Sequence, residues 1–169
     1  MKQILIILLS LILFSCQSST PQLDEKETSN TETEIKEISI DSVAISFIND
    51  YINYLDYLFE HKNANVDSID WLQNQPLATK AFKQDLNNLI DQAEKKDPEY
   101  GLGIDPILNA QDYPSSFTVE SVDSIGNYVT VVGSDWKDFK LTLKLIKQDN
   151  TWLVDGCGAV RIPDDKRKK

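Results

Sequence analysis

The spacing of apolar residues changes once along this chain, and that change constrains the fold more than any single motif. Before Pro98, apolar residues recur every three or four positions, which is the spacing of amphipathic helices. After Pro114 they recur at every second position, most clearly from Phe139 to Leu145, as in a strand with one buried face. Helices that precede a run of strands predict an α+β domain with the helices packed on one face of an antiparallel sheet.

We expect three helices in the first half of the chain. The first begins near Asp41, a good N-cap residue. A short second helix follows Asp67, and Pro76 suits the first turn of the third helix. Lys95 and Lys96 favour the C-terminus of that helix, and Pro98 stops it. The predicted apolar stripes are Val43, Phe47, Tyr51, Tyr54, Leu55 and Leu58 in the first helix, Ile69, Trp71 and Leu72 in the second, and Phe82, Leu86, Leu89, Ile90 and Ala93 in the third.

Four strands are expected in the second half. The first includes Phe117 and Val119, and the last runs from Trp152 to Val160 through Gly156-Cys157-Gly158. The second and third lie over 128–132 and 139–145, with turns at Gly126-Asn127 and Asp149-Asn150.

The N-terminus reads MKQILIILLSLILFSC, in which Lys2 precedes an apolar run of about a dozen residues. Such a run is shorter than the ~20 residues of a membrane-spanning helix and is typical of a secretory signal. Its last four residues, LFSC, resemble the bacterial lipobox, in which a small residue precedes the cysteine. The resemblance implies that 1–15 is a signal peptide and that an acylated Cys16 anchors the mature chain in a lipid bilayer. Gln17 favours the outer membrane of a Gram-negative cell, on its periplasmic or its surface face.

The region after the signal peptide is acidic and polar. Residues 16–40 contain no aromatic residue and are rich in Ser, Thr and Glu, so we expect the acylated cysteine to begin a disordered acidic tether. An α+β domain over 41–163 and a basic tail over 164–169 follow. The whole chain has a net charge of −10, and without the +1 of Lys2 the part from Cys16 onward has −11. A surface this acidic argues against nucleic acid as a partner.

A polar segment with two prolines joins the predicted helices to the predicted strands. It reads GIDPILNAQDYP over 103–114, and we call it the corner segment. Its prolines fix the backbone, and Asp and Asn side chains bond to nearby backbone N–H groups. The segment is either a structural corner or a binding loop, since a rigid polar loop presents a recognition face. The candidate residues are Asp105, Pro106, Asn109, Gln111, Asp112, Tyr113 and Pro114.

Helices followed by a meander that ends in a Trp-x-Val-Asp strand resemble the NTF2-like, or cystatin-like, cone fold. That resemblance implies N-terminal helices packed on a curved antiparallel sheet of about four strands. More narrowly, 105–108 and 110–114 together with the lipobox are similar to the YbjP-like family of small Gram-negative lipoproteins of unknown function. The similarity covers roughly 45 to 160 and implies a fold and a location, but no activity.

Residue types that support catalysis or metal binding are sparse. His61 is the only histidine, and Cys157 has the only free thiol once Cys16 is acylated. We therefore expect no zinc site, no Cys–His pair and no disulfide, and we interpret Cys157 as a small buried hydrophobic residue. Oxygen ligands for calcium would have to gather without an acidic ladder, so we expect no metal and no cofactor. The residues considered for calcium are Asp97, Glu99, Asp105, Asn109 and Asp112.

These observations predict a membrane-tethered, non-enzymatic domain that binds an envelope protein. Two alternatives stay open. One is an immunity-type inhibitor of a protein toxin, since an acidic surface suits a basic target. The other is an NTF2-like isomerase or hydrolase, which needs an aspartate base and a protonated donor in an apolar pocket. For that enzyme, the candidate residues are Tyr51, Tyr54 and Asp155.

Overall fold

Three helices precede one four-stranded antiparallel sheet in the computed structural model, which describes residues 38–61 and 68–168. The predicted α+β class, with helices before strands, is confirmed. The predicted signal peptide and nearly all of the predicted tether lie outside the described residues. Among the described residues, no helix is long and apolar enough to cross a membrane. The elements are α1 (Ile40–Glu60), α2 (Ser68–Gln73), α3 (Lys80–Lys96), β1 (Phe117–Asp123), β2 (Tyr128–Gly133), β3 (Lys140–Gln148) and β4 (Thr151–Cys157).

Helix α1 lies across the sheet, and one side of the helix is buried. The predicted N-cap at Asp41 is wrong, because the Val43 N–H already donates to the Ser39 carbonyl at 3.2 Å and Ser39 is the N-cap. Asp41 instead lies in the first turn, where a carboxylate interacts favourably with the helix dipole. The buried side chains of α1 are Val43, Ala44, Phe47, Ile48, Tyr51 and Ile52.

Helix α3 starts later than the sequence predicts. The N-cap is Thr79, whose hydroxyl accepts from the Phe82 N–H at 3.0 Å, so Pro76 lies in the preceding turn and not in the helix. The reason is a backbone contact with β4. The Val154 N–H donates to the Leu77 carbonyl at 2.7 Å and the Thr79 N–H donates to the Val154 carbonyl at 2.9 Å, which holds 77–79 extended. The end of the helix at Lys96 agrees with the prediction.

The strands are ordered β1-β2-β3-β4, and each pairs antiparallel with the next. Val129 lies opposite Leu143 and Val131 opposite Leu141, and all four are buried on the face that the helices cover. Residues directly opposite in a sheet share a face, so this register sets the core side of the domain.

The predicted last strand is too long. Strand β4 ends at Cys157 because Gly158 turns the chain with a φ of 58°. The turn brings Val160 back to Cys157, whose N–H donates to the Val160 carbonyl at 3.0 Å. A Cβ atom at Gly158 would lie 2.2 Å from the Ile107 carbonyl oxygen, so only glycine allows the corner segment this close.

The C-terminal residues pack against the sheet face opposite the helices. The Thr142 hydroxyl donates to the Lys166 carbonyl at 2.8 Å. The Arg167 guanidinium donates to the carbonyls of Ile162 and Ala159 at 2.9 and 3.0 Å. Contacts with the domain therefore continue past residue 163 into the predicted basic tail.

Candidate functional site

The corner segment closes on itself through its backbone. The Asp105 N–H donates to the Ala110 carbonyl at 2.8 Å, and the Ala110 N–H returns a bond to the Asp105 carbonyl at 3.3 Å. Asn109 makes the tight return possible with a φ of 55°, a conformation that asparagine tolerates better than most residues. Ile107 and Leu108, between these two ends, are buried in the core.

The side chain of Asp105 points inward and holds the segment to the helix layer. Its Oδ1 accepts from the Ile107 and Leu108 N–H groups at 2.8 and 2.9 Å. Its Oδ2 accepts a short hydrogen bond from the hydroxyl of Tyr51 on α1. One carboxylate thus satisfies two backbone donors and fixes the loop to a side chain 54 positions away.

The Tyr51–Asp105 pair lies in a low-dielectric environment. The Tyr51 ring is fully buried, with its centroid 4.6 Å from that of Trp71. Burial raises the pKa of Asp105, although its hydrogen bonds with Tyr51, Leu108 and Ile107 oppose the rise. Burial and the neighbouring carboxylate raise the pKa of Tyr51 far above its ordinary value. The pair is a part-buried donor–acceptor contact between α1 and the corner segment, and Asp105 also lines a groove of about 310 Å³ with Ser68 and Gly103.

Of the other predicted corner residues, Pro106 and Pro114 are buried, whereas Gln111, Asp112 and Tyr113 face outward or brace the segment from outside. The Gln111 amide donates to the Gly103 carbonyl at 2.9 Å, and the Tyr113 hydroxyl donates to Asp56 at 3.2 Å. Asp112 is exposed, and no hydrogen bond or ion pair holds its carboxylate within the described residues. The two aspartates of the segment thus have different surroundings, with Asp105 turned inward and Asp112 toward solvent.

Cys157 and His61 do not form a catalytic pair. Cys157 is completely buried, as expected, and burial raises the pKa of its thiol, with a smaller contribution from the charge of Asp105. His61 is exposed at the C-cap of α1, where its ring stacks on Tyr57 at 4.2 Å. No contact joins the thiol to the imidazole in the described structure.

Of the residues predicted for acid–base chemistry, Tyr51 and Tyr54 stack with their ring centroids 6.3 Å apart, while Asp155 has other partners. Tyr51 bonds to Asp105, whereas Asp155 accepts from the Thr79 hydroxyl at 2.8 Å and from the Arg161 guanidinium at 3.1 Å. The other arm of Arg161 bonds to Asp85 on α3 at 2.5 Å. Asp155 therefore ties the start of α3 to β4. Arg161 was not predicted from the sequence, because its contacts with Asp155 and Asp85 depend on the turn at Gly158.

The acidic residues considered for calcium also have other roles. Asp97 caps the turn after α3 by accepting from the Glu99 and Tyr100 N–H groups, each at 3.2 Å. Asp105 bonds to Tyr51 and to its own loop. Within 38–61 and 68–168, no group of three or more His, Cys, Asp or Glu side chains is placed to hold a metal ion.

A groove of about 360 Å³ separates the outer side of the corner segment from the connection between β2 and β3. Leu108, Asn109 and Ala110 line one wall, and Trp136 and Phe139 line the other. Lys140, Lys168 and Asp138 surround them. We call this the corner groove. Trp136 was not predicted as a site residue. The only sign of it in the sequence is that a large aromatic residue stands in the polar stretch SDWKD.

Comparisons with known proteins found only solved structures of low similarity. No family model matches the chain, and no curated protein matches it. A chain from the type VI effector–immunity complex Tae3–Tai3 of Ralstonia pickettii is 20% identical over 72% of this chain and 94% of that chain, with a TM-score of 0.40. A protein of unknown function from Bacteroides thetaiotaomicron is 18% identical over 70% and 90%, with a TM-score of 0.38. Similarity this low leaves the function to be argued from the residues of this chain.

Proposed function

We propose that this chain is a lipoprotein anchored in the outer membrane through Cys16, and that its domain binds an envelope protein without catalysing a reaction. The lipobox and the corner segment, which resemble those of YbjP-like lipoproteins, support the anchor and the location. The corner groove carries the binding part of the proposal.

Both walls of the corner groove are held rigid by the core. Leu108 is fixed by the Asp105 carboxylate, and Trp136 packs edge-on against Phe139 at 5.2 Å. Phe139 in turn packs against Phe117 at 5.7 Å. Trp136 nevertheless keeps 45% of its surface exposed. A rigid exposed tryptophan loses little conformational entropy on binding, and tryptophan is enriched among residues that dominate interface energy.

The same arrangement supports recognition over catalysis. The titratable side chains that attract attention in the sequence act as internal braces: Asp105 with Tyr51, and Asp155 with Thr79. Four of the eight residues that line the corner groove are apolar or aromatic, namely Leu108, Ala110, Trp136 and Phe139, and they lie on both of its walls. Such a lining suits an apolar anchor from a partner protein better than it suits proton transfer.

Crosslinking in whole cells tests the binding function. The full acylated chain and its Trp136→Ala variant would be crosslinked, isolated under denaturing conditions and compared for the yield of attached protein. A hot-spot loss of about 2 kcal/mol corresponds to roughly thirtyfold weaker binding, so we expect a large loss of yield. Phe59→Ala is the matched control, because Phe59 is also an exposed aromatic residue but does not line the corner groove. Equal yields from all three chains would contradict the proposal.

The anchor is tested separately by Cys16→Ala. Acyl chains contribute about 0.8 kcal/mol for each buried CH₂, and two or more chains make anchoring stable. We therefore expect the variant in the soluble fraction and the unaltered chain in the membrane pellet at high salt. A variant that still pellets with membranes would contradict acylation of Cys16.

An immunity-type inhibitor of a cationic toxin is the second candidate, and a different surface favours it. A groove of about 650 Å³ at the C-terminal end of α3 is lined by Asp91, Glu94, Glu99 and Tyr100, with Lys95 also present. Together with the net charge of −10, this groove suits a basic partner. In dense co-culture with its parent, a strain lacking the chain would be killed if the chain confers immunity. Equal growth of the two strains would contradict this function, and complementation with Glu94→Lys would test the groove.

A further inference from the structure

The two outer edges of the sheet differ in what covers them. Residues 77–79 cover the edge at β4, where Val154 exchanges backbone hydrogen bonds with Leu77 and Thr79. Within the described residues, the β1 edge is covered only at its first residue, where the Asn49 side-chain amide accepts from the Phe117 N–H at 2.7 Å and donates to the Phe117 carbonyl at 3.1 Å. Beyond Phe117, the residues of β1 are exposed. No described strand pairs with the outer side of β1.

The register shows which backbone groups point away from the sheet. Val119 and Val122 lie opposite Val131 and Val129 on β2. Those β2 residues direct their backbone groups toward β3, as Gly133 does when its N–H donates to the Phe139 carbonyl. In an antiparallel pair, backbone groups alternate between the two sides of a strand, so those of Val119 and Val122 face outward. Within the described residues, no strand or side chain hydrogen-bonds to them.

The side chains of β1 add a chemical pattern to this open backbone. Val119 and Val122 lie on the helix side of the sheet, with 37% and 38% of their surfaces exposed. Glu120 lies in a bulge and reaches Lys140, while Asp123 lies opposite Tyr128, so both carboxylates belong to the other face. An added strand would therefore meet apolar side chains on one face and, on the other, the exposed Asp123 carboxylate and a Glu120 carboxylate that Lys140 already pairs with.

We propose that the β1 edge accepts an extended segment of a partner protein in which apolar and basic side chains alternate, so that the segment becomes a fifth strand. Backbone bonds to Val119 and Val122 supply affinity, and the two faces select the side chains. A second copy of this chain fits less well, because pairing β1 with β1 would bring the Glu120 and Asp123 carboxylates of both copies together. This inference rests on the proposed protein-binding function and adds a backbone contact at the β1 edge to the contact at the corner groove.

Synthetic peptides test the inference directly. The probe is a labelled octapeptide of alternating valine and lysine, titrated by fluorescence anisotropy against the full acylated chain in detergent micelles. One matched control is the same peptide with every second backbone nitrogen methylated, which keeps charge and apolar surface but removes strand pairing. A second is the alternating valine and glutamate peptide. We expect saturable binding of the first peptide, with binding at least tenfold weaker for both controls.

Variants of the chain locate the contact. Glu120→Lys should weaken binding of the valine–lysine peptide severalfold, whereas Asp149→Lys, an equal charge change in the turn between β3 and β4, should not. Amide exchange at Val119 and Val122 should slow when the peptide binds. No binding, equal binding of the methylated peptide or a concentration-dependent dimer lost in Glu120→Lys would overturn the inference. Such a result alongside intact Trp136-dependent crosslinking would leave the proposed function standing.

Discussion

Replacement of Asp105 by alanine tests the structural reasoning most severely, because one carboxylate serves three donors. The variant removes the acceptor of the Ile107 and Leu108 N–H groups and of the Tyr51 hydroxyl. Tyr51 and Ile107 are fully buried, whereas Asp105 is partly exposed and lines a groove of about 310 Å³, so water replaces the lost acceptor only in part. The corner segment would lose its attachment to α1 while its prolines and its backbone bridge remain.

The expected loss of stability follows from these contacts. An unsatisfied buried donor costs about 1–3 kcal/mol, so three donors set a gross cost of about 3–9 kcal/mol. Removal of a desolvated carboxylate offsets part of this cost by a few kcal/mol, as the raised pKa of Asp105 indicates. We expect a net decrease in the free energy of unfolding of about 2–4 kcal/mol, which lowers Tm by roughly 10 °C in a domain of this size.

Urea unfolding followed by circular dichroism measures this loss, with Tm as a second readout. Asp112→Ala is the matched control, because this aspartate of the same segment is exposed and should change stability by no more than about 0.5 kcal/mol. The reasoning would be refuted if the two variants were equally stable. A double-mutant cycle with Tyr51→Phe should give a coupling energy of about 1–3 kcal/mol, since the two side chains share one hydrogen bond.

Three further predictions follow from the same contacts. The pKa of Asp105 is raised in the folded state, so its contribution to the free energy of unfolding is fully present below the ordinary Asp pKa and is lost as pH rises through the raised value. The difference in Tm between the unaltered chain and Asp105→Asn should therefore fall over that range. A constant difference in Tm would contradict the raised pKa. Gly158→Ala should destabilise the domain by about 2–4 kcal/mol in urea, well above Gly103→Ala, which shares a positive φ but has no atom within 4 Å of the added Cβ. Cys157 should react with a thiol reagent only as fast as the domain unfolds, and rapid labelling of the native protein would show that the thiol is accessible.

Local pattern predicted most of the elements because their apolar period is long and regular. The three helices, the four strands and the burial of Cys157 follow from residues close together in the chain. The errors at Pro76 and Val160 share one cause. In both places, backbone from another part of the chain decides the local conformation. Val154 does so after Pro76, and Ile107 does so at the turn before Val160.

The pairings that define the site had no local signal. Tyr51 and Asp105 are 54 positions apart, and either residue alone has an ordinary local role, in a helix stripe or an Asx turn. The sequence therefore predicted that Asp105 bonds to its own loop, but not that it also bonds to α1. Trp136 was missed because an exposed aromatic residue in a polar turn has no period to reveal it.

Amide hydrogen exchange of the acylated chain in its own solubilised envelope tests the central claim most directly. The reference is the purified Cys16→Ala chain under the same conditions. If the corner groove binds an envelope protein, exchange should slow at Leu108–Ala110 and across 134–140, where the two walls of the groove lie. Equal exchange in both samples, or slowing confined to the end of α3 near Glu94, would contradict binding at the corner groove.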